Sequence, residues 1–401
     1  MKQYIKLLKE ETVLKRLSVI QLISYFGAWF SNIAIYTLLL KMDASVTTIS
    51  FIAMLHFLAG VIQAPFSGTL IDKFAPKRIM LFVLVLEIIS TYLLIYIENL
   101  SDMNFLYVLI IVKMAAASFY FTTEMSLLPK ILDGDKLQKA NELHSIIWSL
   151  SYTLGMALSG YVVYLFGVKI AFILDASMFV VAFILLSSLK LEVIPHKTKE
   201  NFFEMMQGTF VYLKKEKLAL HLMVLHAFVG LTAFDALVAL MVDTYYASVI
   251  ATSLALGLMH SARAVGLVIG PLVLSKWLQN RVIVTIFIAQ GISVWLWAFV
   301  MHNFYLSLIA SIIVGFFTTT LWSYTYTLLQ KNIEEKYYGR IVAYNDMLFL
   351  SSAAFTSFMI GFLANAEYTL QSITYILGFG FIVGGVYFAW MLKTQNIKEI
   401  S

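Results

Sequence analysis

Apolar stretches of about 20 residues, the length a helix needs to cross a bilayer's hydrocarbon core, recur twelve times along this chain of 401 residues. They run over 17–40, 46–70, 78–97, 104–128, 138–165, 168–189, 219–243, 249–275, 282–301, 304–328, 338–364 and 368–392, with short polar breaks between them. Lipid offers no hydrogen bonds, so each stretch must satisfy its own backbone, which a helix does. The expected fold class is an all-α membrane protein with twelve transmembrane helices. Composition agrees: 61% of residues are hydrophobic and 13% charged, where a soluble domain carries about 25% charged residues. The chain has no Cys, which excludes disulfide frameworks, thiolate zinc sites and thiol nucleophiles. The stretch Met1 to Arg16 is polar and basic without a small-residue cleavage pattern beyond it, so no cleaved signal peptide is read there.

A net charge of +5 would point to an anionic partner if it were gathered on one soluble face. Its placement is topological instead. Of 28 Lys and Arg, 24 fall in the terminal segments and in alternate connections, from Lys2 through Lys73, Lys130, Lys190, Lys276 and Lys331 to Lys398. Lys41 and Lys169 lie at the opposite ends, and Lys113 and Arg263 lie within spans. Positive residues stay on the cytoplasmic side, so both termini are expected to be cytoplasmic. The implied partner is the lipid bilayer, with no role for nucleic acid.

The longest polar interval divides the spans six and six. It suggests an N-terminal bundle over 1–190, a cytoplasmic linker over 191–218 carrying Lys214-Lys215-Glu216-Lys217, and a C-terminal bundle over 219–401. Internal repetition supports the division. Gly68 matches Gly270 at an offset of 202 and Gly160 matches Gly361 at 201, while Leu127-Leu128-Pro129-Lys130 aligns with Leu328-Leu329-Gln330-Lys331, also at 201. Two six-helix bundles in one orientation are the plan of a parallel-repeat transporter, with a site expected at the bundle interface near the membrane midplane.

Between the second and third spans the chain reads Gly68-Thr69-Leu70-Ile71-Asp72-Lys73-Phe74-Ala75-Pro76-Lys77-Arg78. Gly68 permits close helix approach, and Asp72 can accept hydrogen bonds from Lys73, Lys77, Arg78 or a helix N-terminus, so the segment can act as a conformational latch. It resembles the loop signature of the major facilitator superfamily, with Ala75 in place of the usual second Gly and Pro76 in place of a frequent basic residue. A second segment, from Glu124-Met125-Ser126-Leu127-Leu128-Pro129-Lys130 to Lys139-Ala140-Asn141-Glu142-Leu143, is similar to the corresponding connection in the macrolide-efflux and enterobactin-exporter branch. The resemblance implies the major facilitator fold, a transporter in the plasma membrane (the inner membrane of a bacterium), and export.

Ionisable residues inside spans are costly and mark pathways or paired groups. Lys113 in the fourth span lies about where the superfamily often carries a cavity-facing Arg, which implies a place in the substrate pathway; the alternative is a structural ion pair or brace. Asp235 in the seventh span, Asp346 in the eleventh and Glu124 in the fourth are the proton-carrier candidates, Asp235 foremost, with a permanent Asp235–Arg263 pair as its structural alternative. Glu124 is also read as a structural partner of the Asp72 loop, and Glu87 and Asp175 as structural. Asn32, Arg263 and the aromatic residues Trp29, Tyr36, Trp322 and Tyr326 are substrate-pathway candidates, offering apolar area with a few orienting polar groups. The His residues show no metal-ligand spacing, and no phosphate-binding loop exists, so neither a metal nor ATP is expected.

These readings describe a non-enzyme without cofactor: a monomeric secondary active transporter, coupled to H⁺, exporting amphipathic small molecules by alternating access. The alternatives are an importer or uniporter of a small solute, and a transporter-like sensor without transport.

Overall fold

The computed structural model describes residues 2–132, 134–191, 211–274, 277, 279–334 and 338–397, the side chains at 2, 3, 65, 66, 68, 69, 72, 73, 134, 135, 138 and 338–340 lying outside the described ones. Among the described residues twelve helices are long and apolar enough to cross a membrane. In chain order, spans one to six are Thr12–Lys41, Val46–Ala64, Pro76–Tyr96, Leu100–Ile131, Lys139–Phe166 and Val168–Ser188; spans seven to twelve are Lys217–Tyr246, Thr252–Leu274, Asn280–Val300, Phe304–Asn332, Ile341–Asn365 and Leu370–Thr394. There is no strand among the described residues. The expected all-α, twelve-helix membrane class holds.

Local signals set several helix ends. Pro76 opens span three, where its missing N–H costs nothing. Asn303 and Thr369 cap spans ten and twelve by accepting from the backbone N–H of Leu306 and Ser372, each at 3.1 Å. Gly167, at φ 81°, turns the chain between spans five and six in a conformation that an L side chain resists.

The chain divides into two compact units: Met1–Ala44, Ile62–Thr198 and Ser253–Ser261 form one, and Ser45–Val61, Lys199–Thr252 and Ala262–Ser401 form the other. Within the first, span one packs on spans five and six, and span three on spans four and six. The second repeats the scheme six helices later, with span seven on eleven and twelve and span nine on ten and twelve. The offset read from the sequence is thus a repetition of packing as well as of residues.

Close packing depends on small residues, as membrane helices lack a hydrophobic drive toward one another. In the first unit a side chain on Gly160 would meet the Ser253 carbonyl at 2.6 Å, and one on Gly257 would meet the Met156 carbonyl at 2.7 Å. In the second, Gly315 lies against the backbone of Arg263, and Gly266 and Gly270 lie against the backbone of Ile312 and Phe316, with no room for a methyl group.

A helix over Lys2–Glu10 precedes span one and was not foreseen from the sequence. Leu7 and Leu14 are buried with Leu128, Leu132 and Ala140, Tyr4 donates to Glu142 at 2.8 Å, and Lys136 pairs with Glu11 at 2.6 Å. The Glu11 carboxylate holds the exposed Lys136 ammonium above its ordinary pKa range. The N-terminal segment is thereby fastened to the connection between spans four and five.

Candidate functional site

The first unit buries a charged network. Lys113 in span four lies 3.0 Å from Asp175 Oδ2 in span six, with the two side chains 1% and 0% exposed. Its ammonium also donates to Thr91 Oγ1 of span three at 2.7 Å and sits 4.6 Å from the Phe179 ring centre. Ser31 of span one donates to the same Asp175 oxygen. Four spans therefore meet through one ion pair. Asp175 Oδ1 keeps no hydrogen-bond partner, and Gly27 leaves the space in front of it open, because a Cβ there would lie 2.8 Å away. Glu87 of span three is buried in the same region, within electrostatic reach of both Lys113 and Asp175.

A second buried cluster lies in the same unit. Glu124, 2% exposed, is absent from every ion pair among the described residues, and its Oε2 has no hydrogen-bond partner. It lies within electrostatic reach of the phenols of Tyr25 and Tyr120. Both hydroxyls are buried without partners, as is Nε2 of His144. The His144 ring meets Tyr25 edge-on at 5.9 Å and Phe121 at 5.4 Å. Nearby, Trp29 packs against Tyr152 at 4.6 Å and Trp148 at 6.1 Å. The indole N–H of Trp29 and Oδ1 of Asn32 are buried without partners, and Tyr36 is buried within span one.

In the second unit span seven is broken. An α-helix over Lys217–Ala227 tightens into a 3₁₀ turn over Phe228–Thr232, leaves helical geometry at Ala233, resumes as Asp235–Met241, and widens into a π turn at Val242–Tyr246. The Phe234 N–H turns back to the Thr232 carbonyl at 2.8 Å. Gly230 lets span eleven come close, since a Cβ there would meet Ser352 at 2.7 Å and the Ala353 N at 2.8 Å. Discontinuous helices are the usual carriers of ion and substrate sites in secondary transporters, and a continuous span had been expected here.

Asp235 is half-buried at the first residue after the break. Arg263 places its guanidinium 5.0 Å from the Phe234 ring centre, and its Nε is buried without a partner. Phe234 in turn meets Trp297 at 5.4 Å. Asp235 and Arg263 are thus neighbours through Phe234, but no ion pair joins them among the described residues. Asp346 is half-buried in span eleven, beside the buried Asn345. Trp322 and Tyr326 stack at 5.2 Å, and the buried His226 lies against both.

Of the latch residues, the side chains of Gly68, Asp72 and Lys73 lie outside the described ones. Lys77 donates to the carbonyls of Ser187 at 2.8 Å and Leu189 at 2.7 Å, closing the end of span six as a cation at a helix C-terminus does. Arg78 is exposed. Among the described residues no group of three or more His, Asp or Glu is placed to hold a metal. Reasoning from sequence missed the Lys113–Asp175 pairing, the phenols beside Glu124, and His226. Only burial of a polar residue inside an apolar stretch marked them, and nothing in the order of residues says which helix each will face.

The family model of the Major Facilitator Superfamily matches residues 17–246. The chain is similar to YfiS of Bacillus subtilis (strain 168), an uncharacterised MFS-type transporter, at 27% identity over 181 residues, which is 45% of this chain and 43% of that one. It therefore spans less than half the length of the curated relative it matches. Among solved structures it resembles the nucleoside transporter NupG, with a TM-score of 0.72, 13% identity, and 96% and 100% of the two chains covered. It also resembles a D-xylose-proton symporter, with a TM-score of 0.74, 10% identity, and 93% and 97% covered.

Proposed function

We propose that this chain, which belongs to the Major Facilitator Superfamily and is a multi-pass integral protein of the bacterial plasma membrane, is a secondary active transporter. In this reading it exports amphipathic small molecules in exchange for protons, by alternating access of bundles 1–190 and 219–401. Both termini and the 191–218 linker are cytoplasmic, the working unit is a monomer, and the Asp72 loop is the latch.

The observation that carries proton coupling is Glu124. Among the described residues this carboxylate is enclosed by protein with no ion pair and no hydrogen bond on Oε2, and a group so placed is too costly to keep charged permanently. It is suited to binding a proton in one state and releasing it in another. Asp235, at the break of span seven and in no ion pair among the described residues, supplies a second acid in the other unit, and Asp346 a third. Trp29, Asn32 and Tyr36 in the first unit, and Trp322, Tyr326 and Arg263 in the second, each supply flat aromatic area with a few polar handles of the kind a substrate needs. Lys113 fits a brace better than a pathway residue, because its ammonium is consumed by Asp175 and Thr91.

Export is supported by the Glu124–Leu143 segment. Import is the second reading, favoured by the solved structures it resembles, one a nucleoside transporter and one a sugar-proton symporter. Proteoliposomes carrying the full chain, an internal pH dye and imposed gradients of either sign separate the two. Proton movement evoked by an amphipathic compound and driving it against the proton flow supports export, and co-movement supports import. A compound panel that moves no protons in either direction overturns the coupled-transporter reading.

A further inference from the structure

His221 lies near the start of span seven, and Tyr387 and Trp390 near the end of span twelve, all within the second unit. Nδ1 of His221 and the Tyr387 hydroxyl oxygen are 2.6 Å apart, a hydrogen bond between the two spans whichever of them donates. The imidazole meets the Trp390 indole edge-on at 5.4 Å, and the indole stacks on the Tyr387 ring at 5.7 Å with planes 25° apart. Three rings from two helices thus form one bracket. Trp390 keeps 45% of its surface exposed, so the bracket opens on the outside of the bundle.

Positive charge lies one turn beyond the rings. Lys217 precedes His221 by four residues, on the same helix face and about 6 Å along the axis. Lys393 follows Trp390 by three residues, about 4.5 Å along its own axis. Span seven begins at this end and span twelve finishes there, so both lysines lie outward of the rings. Both are exposed, and neither joins an ion pair among the described residues. Lys214 and Lys215 adjoin them, also exposed, with Glu216 as the acid between. In the opposite direction, toward the middle of the membrane, span twelve presents the exposed apolar residues Val386, Val383 and Phe379 at helical spacing.

We propose that this bracket binds the headgroup of an anionic phospholipid, with its phosphate between Lys217 and Lys393 and one acyl chain along Trp390, Val386 and Val383. Indole rings settle at the level of the headgroups, and basic groups between helix ends just outside that level attract anionic lipid. A soluble anion has no use for the apolar track, whereas a phospholipid fills both parts. A zwitterionic headgroup fits less well, because its own ammonium meets the lysines. The bound lipid joins the foot of the broken span seven to the end of span twelve. This site rests on the chain's place in the membrane and is independent of what the protein transports.

The test uses the full chain in phosphatidylcholine vesicles that contain a minor fraction of phosphatidylglycerol brominated in its acyl chains, or in parallel the same fraction of brominated phosphatidylcholine. Bromine quenches a tryptophan that it touches, and each protein is measured with and without Trp390→Phe to isolate the signal of Trp390. Brominated phosphatidylglycerol should quench Trp390 in preference to brominated phosphatidylcholine. Lys217→Gln and Lys393→Gln should each lower that preference about fivefold, Lys217→Arg should keep it, and high salt should weaken it. These lysines are exposed, so thermal unfolding of the variants should match that of the original protein. Lys130→Gln removes an exposed lysine from the other unit and should leave the Trp390 signal unchanged. Equal quenching by the two lipids, no quenching of Trp390 by either, or a preference that survives loss of both Lys217 and Lys393 overturns the proposal. So does an equal fall in Lys130→Gln, which would make the preference a general property of the basic surface.

Discussion

Removing the cation from the buried pair of the first unit tests whether Lys113 braces the bundle or serves the pathway. In Lys113→Met the side chain keeps its length and loses its charge. Asp175, with no exposed surface, is left with the Ser31 hydroxyl as its one side-chain donor among the described residues, and Thr91 loses the ammonium that now donates to it at 2.7 Å. Breaking a buried pair from one side costs about 3–5 kcal/mol, because the remaining charge is stranded. For a bundle of this size that is a fall in unfolding temperature of roughly 6–20 °C, at about 2–4 °C per kcal/mol. The double variant Lys113→Met with Asp175→Asn strands no charge, so it should recover most of the loss. Thermal unfolding in detergent, followed by tryptophan fluorescence, measures the original protein, Lys113→Met, Asp175→Asn and the double variant, and flux in proteoliposomes is read beside it. Single effects that add to within about 0.5 kcal/mol in the double variant, or a Lys113→Met protein as stable as the original, would refute the brace. A stable double variant that transports nothing would return Lys113 to the pathway.

Glu124→Gln should bind substrate but lose uphill, proton-driven flux, because the amide is permanently neutral; retained uphill transport in proteoliposomes would exclude Glu124 as the carrier. Asp235→Asn should fold normally, since it breaks no ion pair among the described residues, and should depress driven flux more than substrate exchange; a large loss of thermal stability instead would assign Asp235 a structural role. Gly315→Ala pushes a methyl group into the backbone of Arg263, a contact no rotamer can relieve, and should destabilise by about 1–3 kcal/mol. Unchanged unfolding of that variant would mean that spans eight and ten are less closely packed than described.

The sequence by itself determined the class of this protein, because lipid imposes length and apolarity on every span and leaves helices as the way to satisfy the backbone. All twelve spans were legible, and the repeat was legible in Gly160 and Gly361 and in the segments beginning at Leu127 and Leu328. Helix pairing was not, since an apolar stretch is apolar all round and its periodicity does not declare which face meets which neighbour. Lys113 could be seen as an expensive charge, but its union with Asp175, 62 residues away, depends on how spans four and six are turned. The same holds for Glu124 among Tyr25, Tyr120 and His144, and for the break before Asp235, where the local residues permit a helix and the close approach of span eleven at Gly230 accompanies its interruption. His226 illustrates the divide most directly: the sequence shows one histidine among apolar residues, and only the tertiary structure sets Thr325 against Nδ1 and leaves Nε2 without a partner.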